Sequence, residues 1–148
     1  EERKRADALL YGAPFAFVAM SETTGPYVVP MNFAYVPGRI YLHTGPGRKS
    51  AALASNSRVC LAITTDEVFD QGPTPCKDGF AYRAVVVEGW AHLLEEPEER
   101  ETALRAIVEK YDPAAVDAPL DEKALSGTLV YAVIVDEFSY KERPRRGQ

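Results

Sequence analysis

The chain has 148 residues and a formal net charge of −5, with 46% apolar and 26% charged residues. These proportions are typical of a soluble globular protein, and the length predicts one domain, residues 1–148, with its own core. Such an acidic chain has no broad basic face for nucleic acid, and no apolar run reaches the roughly 18 to 20 residues that span a membrane.

The first residues and the two cysteines bear on localisation. The charged segment 1–5 leads into a short amphipathic stretch without the apolar core of a signal peptide. Cys60 and Cys76 lack metal-ligand spacing and are too few for a disulfide framework. We therefore expect a cytoplasmic protein with no metal site.

The first part of the chain predicts a short helix followed by strands. A helix over 3–11 would place Ala and Leu residues on one face and end at Gly12. Segments 14–20, 26–36 and 39–44 are rich in Val, Tyr, Phe and Ile, and short turns separate them. They predict three strands paired as an antiparallel meander.

The middle of the chain continues this β pattern. The Ala-rich segment 48–56 predicts a short helix, and segment 58–64 a fourth strand. Segment 66–79 contains several Gly and Pro residues and predicts a loop. Segment 80–94 predicts a long fifth strand, bent near Gly89.

The last part contains the clearest helix. In segment 97–111, Pro97 suits the first helical position, acidic residues follow it, and Leu, Ile, Val and Tyr form one apolar stripe. An irregular segment, 112–126, precedes a sixth strand over 127–140 and a loose basic tail. Because the strands do not alternate with helices, we expect a mainly β (α+β) fold, in which a six-stranded antiparallel sheet curls into a barrel with peripheral helices.

The most distinctive motif is YLHTGPGRKS at 41–50. An apolar strand enters a Gly-Pro-Gly turn, and Arg48 and Lys49 follow at the predicted start of the short helix. Unpaired helix N-terminal amides and adjacent cations are typical of a phosphate site, although surface cations after a turn are also common. The motif therefore predicts a small anionic ligand.

Three segments together carry a resemblance to a known family. These are PYVVPMNFAY at 26–35, IYLHTGPGRK at 40–49 and NSRVC at 56–60, and YRAVVVEG at 82–89 continues the pattern. In this order they resemble the FMN-binding split-barrel proteins related to pyridoxamine 5′-phosphate oxidase, in particular the branch that includes nitroimidazole-resistance (Nim) proteins. The resemblance implies a split β-barrel and a homodimer with one FMN per subunit near the interface.

The resemblance also implies a set of functional residues. Positions 29–32 match the strand along the flavin ring, positions 43 and 44 match the strand end near the ribityl phosphate, and positions 48 and 49 match the pair that grips the phosphate. The implied cofactor-binding residues are Val29, Pro30, Met31, Asn32, His43, Thr44, Arg48 and Lys49. His43 is also the candidate catalytic residue, since a histidine near a flavin edge can deliver a proton close to neutral pH.

Two departures from the family pattern limit the expected activity. Ala84 stands where relatives carry Ser or Gln, and Gly47 stands where the oxidases carry Ser, so two polar contacts to the cofactor are missing. Segment 136–148 has no match to the oxidases' substrate-binding arginine and histidine. We therefore do not expect vitamin B6 oxidation.

The resemblance implies an FMN-dependent oxidoreductase that passes electrons from a nicotinamide donor to a small substrate, with nitro-aromatic compounds implied by the Nim branch. A non-catalytic flavin-binding or redox-sensing module remains open. So does binding of deazaflavin or haem in the same barrel, where haem would need His43 or His92 as its axial ligand.

Overall fold

The computed structural model describes all 148 residues, which form one mixed arrangement of strands and helices. In chain order the elements are α1 (Glu2–Gly12), β1 (Ala16–Glu22), β2 (Gly25–Met31), β3 (Ala34–Val36), β4 (Arg39–Thr44), α2 (Arg48–Ser55), β5 (Arg58–Asp70), β6 (Gly79–Leu93), α3 (Pro97–Tyr111), α4 (Glu122–Ser126) and β7 (Leu129–Arg143). No helix combines the length and the apolar composition that crossing a bilayer requires. The mainly β fold with peripheral helices is confirmed.

All seven strands belong to one antiparallel sheet, in the order β2-β1-β5-β6-β7-β4-β3. β2 and β3 are consecutive in the chain but lie at opposite edges of the sheet. Only Asn32 and Phe33 connect them, so three peptide units, at most about 11 Å, separate the ends of the two edge strands. The sheet must therefore curl until its edges meet, without hydrogen bonds between them, as in a split barrel.

This break corrects two predictions from the sequence. The single strand expected over 26–36 is two strands, which raises the count from six to seven. The expected three-stranded meander is instead two hairpins, β1–β2 and β3–β4, placed at the two edges. The edge positions explain why Pro30 is tolerated, because an edge strand pairs on one side only.

Two other boundaries also differ from the prediction. The segment expected to be a loop over 66–79 is strand up to Asp70, where it pairs with the start of β6. A bulge at Asp66, which has a φ of 60°, allows this extension despite the polar sequence. The C-terminal strand runs to Arg143, because its last residues pair with Tyr82–Ala84 near the start of β6.

The inner face of the curled sheet forms the main core. Alternate residues of the strands point inward, as the period of two requires. Its largest fully buried members include Val18, Phe33, Leu42, Leu61, Ile63, Val85, Val87 and Val133. Apolar residues of α1 and α2 join this cluster, so these two helices cover the inner face.

The helix α3 covers part of the outer face. Ala103 and Ile107 of this helix pack with a second group of buried outer-face residues of β3, β4 and β7. These strand residues are Ala34, Tyr41, Val130 and Ala132. The rest of the outer face has no helix of this chain over it.

Gly89 marks a β-bulge between β6 and β7, where the register shifts after Glu88. A side-chain Cβ at this position would lie 2.2 Å from the carbonyl oxygen of Ile134, so only glycine fits. The bend predicted near Gly89 therefore corresponds to this bulge.

Candidate functional site

The predicted phosphate site lies at the start of α2. β4 ends at Thr44, a turn through Gly45 and Gly47 follows, and α2 begins at Arg48. The Ser50 hydroxyl accepts a hydrogen bond from the Gly47 amide at 2.8 Å and donates one to the Gly47 carbonyl at 2.9 Å. This pair of bonds fixes the turn, and the following amides of the first helical turn have no partner within the helix.

The backbone of this turn is open. No atom lies within 4 Å of the position that a Cβ would take at Gly45 or at Gly47. Both residues are exposed, so a ligand can approach the peptide groups without meeting a side chain.

The side chain of Arg48 is held by two residues of the β1–β2 hairpin. Its Nη2 lies 2.7 Å from Oε1 of Glu22, and its Nε lies 3.0 Å from Oε2 of the same carboxylate. The guanidinium also stacks 3.8 Å from the ring centroid of Tyr27. Hydrogen bonds from Arg48 lower the pKa of Glu22, and Glu22 in turn raises the pKa of Arg48.

These contacts leave part of the positive charge available. Nη1 of Arg48 makes no contact with Glu22, and Lys49 forms no salt bridge within the chain. The two cations and one carboxylate sum to one net positive charge beside the open turn. Glu22 thus orients Arg48 without cancelling the charge that an anion would meet.

His43 lies near this charge at the end of β4. It is half-buried, and burial lowers the pKa of its imidazole; the nearby Lys49 ammonium lowers the pKa further. The imidazole is therefore mainly neutral at pH 7, because its pKa lies below the ordinary 6.5. A neutral imidazole both donates and accepts a hydrogen bond.

The residues predicted to follow the flavin ring lie on β2 and just after it. Val29 and Met31 point toward the core, whereas Pro30 points outward and is exposed. Pro30 pairs with Phe17 of β1, and both lie on the uncovered outer face of the sheet. Asn32 is exposed, and its side chain makes no hydrogen bond within the chain.

Tyr111, at the end of α3, fixes the backbone next to Asn32. Its hydroxyl donates to the carbonyl of Pro14 at 2.6 Å and accepts from the amide of Phe33 at 3.1 Å. The link between the two sheet edges is thereby tied to α3 and to the segment before β1. Asn32 consequently sits on a backbone with a defined position.

The structure brings some of the predicted residues together and keeps others apart. His43, Thr44 and Lys49 lie at one end, and Arg48 reaches Tyr27 of β2. Met31 is four residues further along β2, which is about 13 Å at the rise of a strand. The eight residues therefore form two groups that β2 connects: a cationic end around Arg48 and Lys49, and a strand end from Val29 to Asn32. None of the eight lines any of the five main cavities.

Reasoning from the sequence missed Glu22, Tyr27 and Tyr111. Glu22 is 26 residues from Arg48, and nothing in the local pattern connects an acid in a hairpin with a cation at a helix start. The sequence predicted Tyr111 only as part of the apolar stripe of its helix. That role concerns the ring and gives no sign of the hydrogen bonds that its hydroxyl makes. Arg83, in the YRAVVVEG segment, forms a surface salt bridge with Asp66.

Comparison with known proteins bears out the family that the motifs indicate. A family model described as pyridoxamine 5′-phosphate oxidase matches residues 2–142. Among the curated proteins, none matches this chain.

Several solved structures have a similar fold. A candidate 5-nitroimidazole antibiotic resistance protein from Bacteroides thetaiotaomicron VPI-5482 has 28% identity and a TM-score of 0.80, covering 95% of this chain and 83% of its own. The flavocytochrome Anf3 from Azotobacter vinelandii has 24% identity and a TM-score of 0.87, and the match covers 99% of this chain and 70% of Anf3. An FAD and heme binding protein from Mycobacterium smegmatis has 24% identity and a TM-score of 0.85, covering 95% and 70%. The last two, below 25% identity, support the fold alone.

Proposed function

Because the chain belongs to the pyridoxamine 5′-phosphate oxidase family, we propose that it binds FMN and acts as an oxidoreductase on a small substrate. The observation that carries this proposal is the open Gly-Pro-Gly turn with Arg48 and Lys49 at the start of α2. When bound, FMN would supply the electron transfer, since flavins accept and pass on hydride or single electrons.

The phosphate of FMN fits the cationic end of the site. Arg48 has a free Nη1, Lys49 has no competing carboxylate, and the first amides of α2 point out of the helix. Glu22 and Tyr27 hold the guanidinium in one orientation, which reduces the side-chain entropy lost on binding. We expect Arg48 to grip the phosphate directionally and Lys49 to act as a point charge.

The flavin ring fits the strand end of the site. β2 is an edge strand, so alternate backbone groups along Val29–Met31 are not used by the sheet. Asn32 offers an unpaired amide to the polar rim of a ring, and Phe17 and Pro30 offer apolar surface beside it. Ala84 is on the same outer face in β6 and adds no polar group.

His43 is the residue that we propose for proton transfer. Its lowered pKa keeps the imidazole neutral at pH 7, so it can hold a proton as a hydrogen-bond donor without adding charge beside Lys49. A neutral imidazole can also accept a proton from solvent and return it to a reduced substrate.

A second copy of the chain would complete the site. The outer face that carries Pro30 also exposes several large apolar side chains, which a lone chain would leave in water. These are Phe15, Phe17, Val28, Val86, Trp90 and Ile134. Since large exposed apolar patches mark interaction surfaces, we propose a homodimer in which this face of one protomer meets that of its partner and encloses the cofactor.

For the substrate we propose nitro-aromatic compounds, with a nicotinamide nucleotide as electron donor. The support is the 28% identity with the Bacteroides protein described as a candidate 5-nitroimidazole resistance protein. A planar apolar substrate would suit an apolar outer face better than a charged one would.

The test begins with the chromophore of the purified protein. We expect extraction and mass spectrometry to identify FMN, whereas FAD, deazaflavin or a Soret band from haem would refute the cofactor. Stopped-flow reduction by NADH or NADPH, followed by reoxidation with a nitro-aromatic compound, then separates an enzyme from a flavin carrier. Reduction without reoxidation would support the non-catalytic alternative.

The site assignment has its own test. Arg48→Ala combined with Lys49→Ala should remove bound FMN and leave the circular dichroism spectrum unchanged, because both side chains lie at the surface of a short helix. The matched control is Arg39→Ala with Lys123→Ala, which removes the same charge from exposed positions outside the site. Equal FMN occupancy in the two double variants would show that the phosphate binds elsewhere.

A further inference from the structure

Away from the proposed flavin site, a cavity lies between α1, β3 and α3. It has a volume of about 330 Å³ and is lined by Tyr11, Ala34, Tyr35, Val36, Ala106, Glu109 and Lys110. This volume lies at the lower end of the range for small-molecule sites, and most of the lining is apolar. None of the eight residues predicted to bind the cofactor takes part in it.

Lys110 is the unusual member of this lining. Its Nζ is buried and has no hydrogen-bond partner in the structure. The ammonium lies 3.5 Å from the ring centroid of Phe33 and 5.4 Å from that of Tyr111, so aromatic faces are its main neighbours. A buried ammonium without an acceptor is costly, and such a group calls for an anion.

The polar groups around the cavity do not supply that anion. Asp7 of α1 accepts hydrogen bonds from Tyr35 at 2.7 Å and from Arg3 at 3.2 Å, so its carboxylate is already engaged. Glu109 is exposed at the rim, and burial alone lowers the pKa of Lys110, to about 8. No carboxylate of the chain therefore stabilises the Lys110 ammonium.

We propose that this cavity binds a small amphiphilic monocarboxylate, whose carboxylate pairs with Lys110 and whose apolar part lies against Ala34, Val36 and Ala106. One buried cation matches one negative charge, and the mostly apolar walls favour a ligand with an apolar part over a phosphate or a dicarboxylate. The flexible four-carbon stem of Lys110 allows Nζ to turn toward a carboxylate at the cavity wall. This site does not depend on the proposed flavin chemistry.

The test uses hexanoate and 1-hexanol, which share an apolar chain but differ in charge. For the purified full chain with its native cofactor at pH 7, calorimetric titration should give hexanoate an affinity at least about tenfold higher than that of hexanol. In Lys110→Met this preference should disappear while hexanol still binds, and Lys123→Met, at an exposed lysine, should retain it. Equal affinities in the wild type, a preference that persists in Lys110→Met, or no binding of either probe would overturn the proposal.

A second variant tests the cavity itself. Ala106→Met keeps Lys110 but fills the space, so it should weaken both hexanoate and hexanol. Unchanged affinity for both probes would place their binding elsewhere and overturn the assignment. The flavin absorbance in the same samples reports separately on the cofactor site.

The pH dependence provides an independent readout. Hexanoate should bind the protonated lysine, so its affinity should fall about tenfold per pH unit above pH 8, while hexanol shows no such change. The groups that face Lys110 are Tyr11 from α1, Tyr35 from β3, and Glu109 and Tyr111 on its own helix, with Asp7 and Arg3 behind Tyr35. Burial raises the pKa of Tyr35 and Tyr111 above 10, outside this window. An affinity independent of pH between 7 and 9 would contradict the pairing with Lys110.

Discussion

The outer face of the sheet has two halves that both carry apolar side chains but differ in what covers them. Over β3, β4 and β7, Ala103 and Ile107 of α3 bury the strand residues from water. Over β2, β1, β5 and β6, side chains such as Phe17, Val28 and Trp90 remain 44 to 60% exposed. Alternating apolar residues thus indicate that a face is to be covered, but not whether the cover comes from the same chain.

The comparison predicts that the covered half contributes to the stability of the single chain. Ile107→Ala should lower the free energy of unfolding by about 2 to 5 kcal/mol, because it leaves a cavity between α3 and the sheet. Val86→Ala, on the uncovered half, is the matched control and should cost less in urea unfolding at low protein concentration, where a dimer would dissociate. Equal losses would mean that the two halves do not differ within one chain.

Gly89 lies at the seam between the two halves and offers the next largest effect. Gly89→Ala should lower the free energy of unfolding by about 1 to 3 kcal/mol, since a Cβ would collide with the carbonyl oxygen of Ile134. Gly12→Ala, where a Cβ meets no atom within 4 Å, serves as the control and should be close to neutral in the same urea titration. If both glycines tolerate alanine equally, the bulge can relax.

Lys110, on the helix α3 that covers one half, should make the free energy of unfolding depend on pH. This effect should be smaller than that of the two substitutions above. Burial lowers its pKa from 10.5 to about 8, so between these values the unfolded chain binds more protons than the folded one. The free energy of unfolding should therefore rise with pH from 8 to about 9.5, a range below the titration of the buried tyrosines. Lys110→Met should flatten this rise in denaturant titrations at several pH values, whereas a slope that persists would place its origin elsewhere.

The uncovered half should hardly affect the stability of the chain but should control its assembly. Val28→Glu places a charge on a side chain that is 60% exposed, so the unfolding free energy of the monomer should change by less than about 0.5 kcal/mol. Light scattering after gel filtration should nevertheless show a shift from dimer to monomer. Thr24→Glu, in the exposed β1–β2 turn, should remain dimeric; a wild-type chain that is already monomeric would contradict the proposed interface.

Much of the fold follows from local patterns. The bounds of α3 were predicted as observed, because Pro97 and the acidic first turn define its start and the apolar stripe ends at Tyr111. The break at Asn32 and Phe33 was not predicted, since most of the residues on either side of it favour strand. The strand at 66–70 forms through pairing with β6, which a polar local sequence does not reveal.

The candidate site was predictable only where its residues are close in sequence. The turn, Arg48 and Lys49 form one continuous motif, which could be recognised from the sequence alone. The family model matches the chain over residues 2–142. The contacts that orient Arg48 come from Glu22 and Tyr27 on a distant hairpin, and Tyr111 reaches Phe33 from the end of α3. Such partners are set by the curl of the sheet and not by spacing along the chain.

The two-residue link between β2 and β3 sends the chain to the opposite edge of the sheet, and this has a consequence for synthesis on the ribosome. The hairpin that follows it, β3–β4, pairs with the rest of the sheet only through β7, the last of these seven strands to leave the exit tunnel. We expect this hairpin to stay undocked until β7 has been synthesised, because its partner strand does not exist before then. Contacts between residues that are far apart in the sequence also slow folding. Until β7 pairs with β4, the unpaired strand edges of the emerging chain would be exposed to aggregation.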